Sequence, residues 1–566
     1  MALQVWLPLN GNLNNQGLSS DIVTNHGATI NVNGKIGSCY QNTASNYCTI
    51  PVSIDSTKPF SFCFWYRIDT WVNWGTALTL NDASSAYIGI CPHSNGTSVG
   101  TNWYEGSTAI SDKYHSMTFS TGVWYHFAIV SNGSGVKTYI NGAQSNVATT
   151  YSNNPNATFT QLTLFKRGTT STYGRNSLND IRIYDHALSD KEVHEISKGL
   201  VLHYKLDDSY IESTKNLVTG ITAGGQTTVS DNTVTTSGNN GDTYFRLVLS
   251  EALVNGTTYT ISCIAENIPK GKYWTFPIGA QNNTSVLFNI YNGYNSFTFV
   301  ANSTIANCGT SLMMDDSYRA DVYMNKCVFR NFQIEQKDHA TGYVVGERSN
   351  SNIIYDCSGY GHDGTKVGTL TPDSNTPRYD CSTKFDSGAN YINAGRGAMV
   401  TDAITVNLWI KYTTWSNPIS CTENGGWNFE EGGGGIRFPV YTDDSAYRIA
   451  QSTITSASLE DDKWHMLSGT YDGLIAKIYI DGVEKGTITG STAHKNIKYH
   501  GSNVIFVGAE AGGNATTPAS NAFVGDISDV RIYCTALSPT DILELYNVGQ
   551  SIDNKGNLYA YSFKEE

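Results

Sequence analysis

Charge is scarce in this chain. Asp, Glu, Lys and Arg supply 15% of its 566 residues, against about 25% in an average soluble domain, so the surface has to be built from Asn, Ser, Thr, Gly and Tyr. That palette suits exposed strands and turns and points to an all-β protein. Basic charge is scarcer still: the formal net charge is −13, and no Lys/Arg cluster breaks the acidic excess. Phosphate neutralisation needs such clusters, which argues against nucleic acid as a partner, and anionic membranes are disfavoured for the same reason. Long apolar runs are missing as well. No stretch approaches the roughly 18 apolar residues needed to span a bilayer, so no membrane insertion is expected. The opening "MALQVWLPLNGNL" lacks a basic segment, a long apolar core and a small-residue cleavage site, and it reads directly into a strand rather than as an export signal. Paired cysteine motifs are absent too. The eleven cysteines show no CxxC spacing, and several fall in strand patterns, such as Cys63 in "FSFCFWYRI" and Cys263 in "TYTISCIA". They read as buried free thiols of a soluble protein made in a reducing compartment, and a zinc site is not expected.

What the sequence has is repetition. "GDISDVRIYCTALSPTDILELYNVG" (525–549) repeats "NSLNDIRIYDHALSDKEVHEISKG" (176–199), each a strand followed by a capped helix. Ser189-Asp190-Lys191-Glu192 is a capping box, Ser538-Pro539 places Pro at the first helical turn, and Gly199 and Gly549 are read as the stops. "FSFCFWYRIDTW" (60–71) matches "ITVNLWIKYTTW" (404–415), with Phe62, Phe64 and Tyr66 on the face that Val406, Leu408 and Ile410 share. "WYHFAIVSNGSGVKTYINGA" (124–143) matches "KWHMLSGTYDGLIAKIYIDGV" (463–483), which sets His126 level with His465, and each ends in a hairpin signal, Asn141-Gly142 or Asp481-Gly482. The first strand, "VWLPLNGNL" (5–13), finds its partner at "VLHYKLDDS" (201–209), an offset far smaller than that of the other segments. The second copy has therefore taken up a large insert after its first strand, rich in alternating segments such as "NSFTFVA" and "CVFRNFQIEQ". A chain this long exceeds one hydrophobic core. The expected organisation is a first β-sandwich over 1–199, a second over 200–212 with 349–550, an inserted β-sandwich over 213–348, and a tail over 551–566.

The residues Leu206-Asp207, the turn "DCSGYGHDGT" (356–365), Trp464-His465, "YIDG" (479–482) and "GDISDVRIYCTALS" (525–538) make the repeated domain resemble the concanavalin A-like lectin/glucanase superfamily, specifically laminin G-like domains. The resemblance implies jelly-roll β-sandwiches of two curved antiparallel sheets. The insert resembles a carbohydrate-binding-module jelly-roll. Its ending, "FRNFQIEQKDHATGYVVGE" (329–347), and the C-terminal "NKGNLYAYSFKEE" (554–566) resemble segments of bacteriophage tail and adhesin proteins.

On this fold, retaining hydrolysis uses acidic residues in a Glu-x-Asp-x-Glu arrangement on one strand, with the carboxylates about 5 Å apart. That spacing does not occur in the sequence. Glu430-Glu431 and Glu460-Asp461-Asp462 read as loop charge, the glycine run 432–435 as a loop, and the two histidines as packing or hydrogen-bonding groups, so no enzyme is expected. Sugar binding would use exposed aromatic rings in Gly/Asn-rich sequence: Trp103 with Tyr104, Trp427 with Phe429, and Tyr273 with Trp274. The resemblance also implies a structural Ca²⁺ tying the first strand and its turn to the last strand through Asp207, Asp356 and Asp529, with Asp363 and Asp526 nearby; the first copy keeps Asp180 but has Asn10 in place of Asp207. The expected function is that of a phage virion protein, a tail or capsid-surface appendage that binds host-surface polysaccharide, contacts other virion proteins and can form a homo-oligomer. The alternative is a purely structural virion component, and a glycan-degrading enzyme ranks last.

Overall fold

Alternating side chains and two-residue turns build antiparallel sheets, and every strand pairing described is antiparallel apart from one isolated bridge at Gly27. The structure is a computed structural model that describes residues 3–9, 23–82, 86–115, 117–145, 153, 155–167, 172–206, 214–225, 227–230, 233–236, 243–266, 268, 273–278, 286–291, 293–302, 304–308, 313–314, 327–337, 347–348, 352–373, 382–386, 390–422, 424–490, 493–511, 518–552 and 558–562. The chain divides into two compact units, Met1–Leu206 with Ile354–Glu566, and Asp207–Ile353.

The larger unit holds two jelly-roll β-sandwiches. In the first, one sheet centres on Phe60–Thr70, flanked by Trp124–Ser131 and Arg175–Tyr184, and Leu3–Leu7 pairs with the latter. The second sandwich repeats this with Ile404–Thr414 between His465–Tyr471 and Val524–Tyr533, and Leu200–Tyr204 in the place of Leu3–Leu7. Phe62, Phe64, Ile129 and Ile183 point into the first sandwich core. The opposite face of the same sheet is covered as well. Helix α1 (Asp190–Ser197) lays Val193 and Ile196 against Trp6, Cys63, Ala128 and Tyr184, and α2 (Pro539–Asn547) lays Ile542 and Leu545 against Trp409, Trp464 and Met466. A sheet buried on both faces needs no polar alternation, which explains the apolar run "FSFCFWY".

Both helices start as their sequences dictate. Ser189 Oγ accepts from Glu192 N at 3.2 Å while Glu192 Oε2 accepts from Ser189 N at 2.7 Å, and Ser538 Oγ accepts from Asp541 N at 3.2 Å. Gly199 ends α1 at φ +66°, where a Cβ would fall 2.3 Å from Cys534 Sγ. The second helix stops at Asn547, short of Gly549, because the chain turns into the strand Val548–Ile552.

No linker separates the sandwiches: α1 runs through Gly199 straight into Leu200–Tyr204. Cys534 N donates to Gly199 O at 2.9 Å, Lys35 Nζ pairs with Asp402 at 2.5 Å, and Tyr360 meets Trp6 edge-on at 5.5 Å.

The smaller unit has its own core, with Trp274, Phe276, Phe245, Phe329 and Phe332 buried among three sheets whose central strands are Thr243–Leu253, Val328–Glu335 and Trp274–Ile278. Near its two ends, Thr214–Lys215 pairs with Glu347–Arg348.

Candidate functional site

The first sandwich's other sheet runs Thr108–Tyr114, Val99–Glu105, Tyr87–Pro92, Leu78–Asn81, Thr158–Leu164, Tyr47–Asp55 and Thr24–His26. No helix covers it. Leu78, Leu80, Ile88, Ile90 and Leu162 face the core, so side chains displaced by one residue face outward. Register makes Tyr87 neighbour to Tyr104 and Asn81, and sets Gly89 between Asn102 and Thr79. The Tyr87 and Tyr104 rings stack, 5.7 Å apart and 18° from parallel. The Arg167 guanidinium lies 4.7 Å above the Tyr87 ring and donates to its hydroxyl. Short polar side chains fill the rows alongside: Thr163 Oγ1 donates to Asn81 Oδ1 at 2.9 Å, Thr79 Oγ1 to Lys166 O at 3.1 Å, and Cys91 Sγ to Asn102 Oδ1 at 2.9 Å.

Two more aromatic groups belong to this sheet. Lys166 Nζ sits 4.4 Å from the Tyr47 ring centre and 5.9 Å from that of Tyr173, and His26 stacks on Tyr47 at 4.2 Å. At the strand ends, His93 lies 4.8 Å from Trp74 and 4.4 Å from Tyr114, which is 42% exposed. Trp74 is held at φ +64° with its N–H bonded to Pro92 O, a conformation that bulky residues rarely adopt. In the second sandwich the corresponding sheet differs. It carries Phe506 fully buried edge-on to Tyr391, and an ion pair between Glu430 and Arg437 at 2.7 Å.

Four of the six aromatic residues expected to stack on sugar are core residues. Trp103 is 1% exposed between Phe60 and Phe159, and Trp427 is 1% exposed with Nε1 bonded to Tyr499 OH at 3.2 Å. Phe429 packs on Phe438 at 5.1 Å, and Trp274 meets Phe329 at 5.5 Å. A ring packed on both faces has none left for a pyranose. The expectation failed because these segments are strands rather than loops, and neighbours in a strand point opposite ways: Trp103 turns in and Tyr104 out. Tyr273 is half-buried beside Tyr291, 5.4 Å away and 49% exposed. The outward residues Tyr87, Lys166, Arg167 and Trp74 were missed, although the alternation of "AYIGI" already separates Tyr87 from Ile88 and Ile90.

Of the expected calcium ligands, Asp207 lies outside the described residues, and so does Asn10. The other two have protein donors. Asp356 accepts from His203 N, Ser358 N and Oγ, and His362 N, all within 2.6–3.0 Å. Asp529 Oδ1 accepts from Arg531 Nε at 2.7 Å and His203 Nε2 at 3.0 Å. Asp363 accepts from Asp356 N at 2.8 Å. Asp180 repeats the Asp529 arrangement, with Trp6 Nε1 at 2.6 Å and Arg182 Nε at 3.0 Å. Both Asp180 and Asp529 are left-handed, at φ +49° and +52°, at a bulge where the strand register shifts. Among the described residues no group of three or more His, Cys, Asp or Glu side chains is arranged to hold a metal ion.

The histidines expected to be level are not. Phe127 pairs with Ile140 and Leu467 with Ile480, so His126 corresponds to Met466, and His465 to Tyr125. One residue of slip reverses the face. His126 packs edge-on to Trp65, and burial pushes its pKa down to about 3. Burial also disfavours charge on His465, but bonds to Asp481 at 2.8 Å and Asp461 at 3.1 Å outweigh it and raise the pKa. Glu430 and Glu431 are likewise not loop residues. They lie on the strand Glu430–Gly432, joined to Gly435–Tyr441 through Gly433-Gly434, and Glu431 accepts from Ser456 Oγ at 2.6 Å.

A family model described as the concanavalin A-like lectin/glucanases superfamily, of the Laminin G type, matches residues 42–194 and 386–543, together more than half of the chain. The chain belongs to this superfamily. Its name spans both sugar-binding and sugar-cleaving members, and the matched stretches fall one in each sandwich. No curated protein matches. Among solved structures the chain is similar to domain 4 of an extracellular arabinanase from Geobacillus stearothermophilus, in complex with arabinotriose: 18% identity over 35% of this chain and 98% of that one, TM-score 0.29. It is also similar to the botulinum neurotoxin serotype D binding domain (13% identity, 59% and 97% covered, TM-score 0.30) and to a heptameric pentraxin from Limulus polyphemus (16% identity, 28% and 77% covered, TM-score 0.23). Likenesses this distant carry no argument about function.

Proposed function

We propose that the chain is a carbohydrate-binding protein without hydrolytic activity, and that the outer face of the first sandwich's uncovered sheet holds the sugar. The observation that carries the reading is the Tyr87–Tyr104 pair, two half-buried rings steadied by Arg167 beside a row of Asn and Thr side chains. Pyranoses combine apolar C–H faces with hydroxyl rims, and such surfaces suit rings flanked by amide and hydroxyl groups. Membership of a superfamily that includes lectins supports binding. Against hydrolysis stand the partners of Glu430 and Glu431: the first is paired with Arg437 and the second bonded to Ser456. Affinity electrophoresis in polysaccharide gels tests the reading. The intact protein should be retarded in at least one gel, and Tyr104→Ala should lose most of the retardation. Release of reducing sugar from a bound polysaccharide would overturn the non-enzymatic part.

The setting we propose is a bacteriophage virion, with the chain serving in attachment to host-surface polysaccharide. Its support is the resemblance of 329–347 and 554–566 to phage tail and adhesin segments. Mass spectrometry of purified particles should find the chain in stoichiometric amounts; its absence from them would end that proposal. The direct, interlocked junction of the two sandwiches favours a purely architectural role if no polysaccharide binds.

A further inference from the structure

We propose that the sugar recognised on this face is anionic, a saccharide carrying a carboxylate or a sulfate ester. The inference rests on the carbohydrate-binding reading above and names its ligand class. The protein as a whole carries a formal charge of −13, and several cations elsewhere in the two sandwiches pair with carboxylates: Arg67 with Asp69, Lys137 with Asp190, Arg448 with Asp444 and Lys477 with Glu484. Lys166, like Lys498 on Tyr441 in the second sandwich, is not among them. Among the described residues no carboxylate lies within 4.0 Å of its ammonium, which rests instead against Tyr47 and Tyr173. The next residue, Arg167, spreads its guanidinium on Tyr87 and bonds that ring's hydroxyl. Two consecutive cations on one sheet are thus steadied by tyrosine rings, Arg167 at the stacking platform by Tyr87 and Lys166 by Tyr47 and Tyr173. An ammonium without an acidic partner is available to an incoming oxyanion.

The experiment uses the full chain and two matched pairs of probes at about 0.15 M salt: polygalacturonate against its methyl ester, and dextran sulfate against dextran. A charge-assisted hydrogen bond corresponds to about a tenfold preference for the anionic member, and the pair that shows it tells carboxylate from sulfate. Lys166→Gln should bring the affinity ratio within that pair close to one, while Lys166→Arg should keep it. An unchanged melting temperature in both variants ensures that recognition alone is compared. Equal affinity within both pairs overturns the inference while leaving sugar binding in place. A preference that survives in Lys166→Gln also overturns it, because the charge would then lie elsewhere. If none of the probes nor any other saccharide is bound, the carbohydrate-binding reading itself falls.

Discussion

Trp103 and Tyr104 are adjacent, aromatic and opposite in consequence. Composition identified the pair, but only the register of Val99–Glu105 assigns one ring to the core and the other to the surface. In "VGTNWYE" glycine and short polar residues occupy both parities, so the sequence offers no apolar rhythm from which to infer direction. Trp103→Ala should therefore cost about 3–5 kcal/mol, as emptying a core site of this size does, whereas Tyr104→Ala should stay within about 0.5 kcal/mol and lose polysaccharide retention; chemical denaturation and affinity electrophoresis read the two effects separately. The calcium expectation turns on a similar choice. An Asp two residues before an Arg in a strand can bind metal or pair with its neighbour, and here Asp529 pairs with Arg531, itself fully buried. Removing the carboxylate strands a buried guanidinium, so Asp529→Ala should cost about 3–5 kcal/mol. The loss should be equal in EDTA and in calcium if the carboxylate serves only Arg531; a midpoint that shifts only when calcium is present would show that it also serves a metal.

Elements were far more legible than single side chains. The duplicated strands, the capped helices and the Asn-Gly and Asp-Gly hairpins all announce themselves through short-range patterns that survive the divergence of the copies. What escaped was relative register. His126 and His465 look level in the sequence, yet the hairpin pairs set them one residue apart, a slip that no local pattern records. The hairpins also show how one motif comes under unequal constraint. Asn141-Gly142 and Asp481-Gly482 both turn with two positive φ angles. A Cβ at Gly142 would lie 2.2 Å from Ser197 Oγ and 3.0 Å from His194 Nδ1, on α1, while one at Gly482 would meet Tyr546 and Leu543 at no closer than 3.0 Å. Left-handed strain alone costs about 1–2 kcal/mol at either site. Gly142→Ala should thus be the more damaging substitution, because it also pushes on the helix that covers the first sheet. Equal losses in thermal unfolding would mean that α1 yields without cost.

Across the molecule, histidines of two kinds oppose each other in setting how stability responds to pH. His115, His126 and His203 are buried, and burial pushes their pKa values down to about 4, 3 and 4, from an ordinary 6.5. In the unfolded chain they take up protons below 6.5 that the native state refuses, so stability falls as pH drops from 6.5 toward 4. The second kind sits at the junction of the two sandwiches, where Asp541 meets His194 and Asp402 meets Lys35 of the first. His194 bonds Asp541 at 2.6 Å and His494 pairs with Asp402 at 3.2 Å, and in each case the carboxylate raises the histidine pKa. Although burial disfavours charge on the two carboxyls, their cationic partners, Lys198 and Lys35 among them, hold both well below the usual range. A raised histidine contributes fully below 6.5 and loses that contribution as pH rises through its folded value. Both rings are nearly half exposed, so solvent and salt weaken this branch, and the three buried rings dominate on the acid side. Melting temperature should therefore peak near neutrality, fall steeply toward pH 4 and decline gently above the maximum, the gentle branch flattening in high salt. His126→Phe, which preserves the edge-on contact with Trp65, should remove one proton's share of the acid slope, and His194→Gln should flatten only the alkaline branch. An acid slope untouched by His126→Phe would show that this ring is protonated in the native state and not excluded from charge by the core.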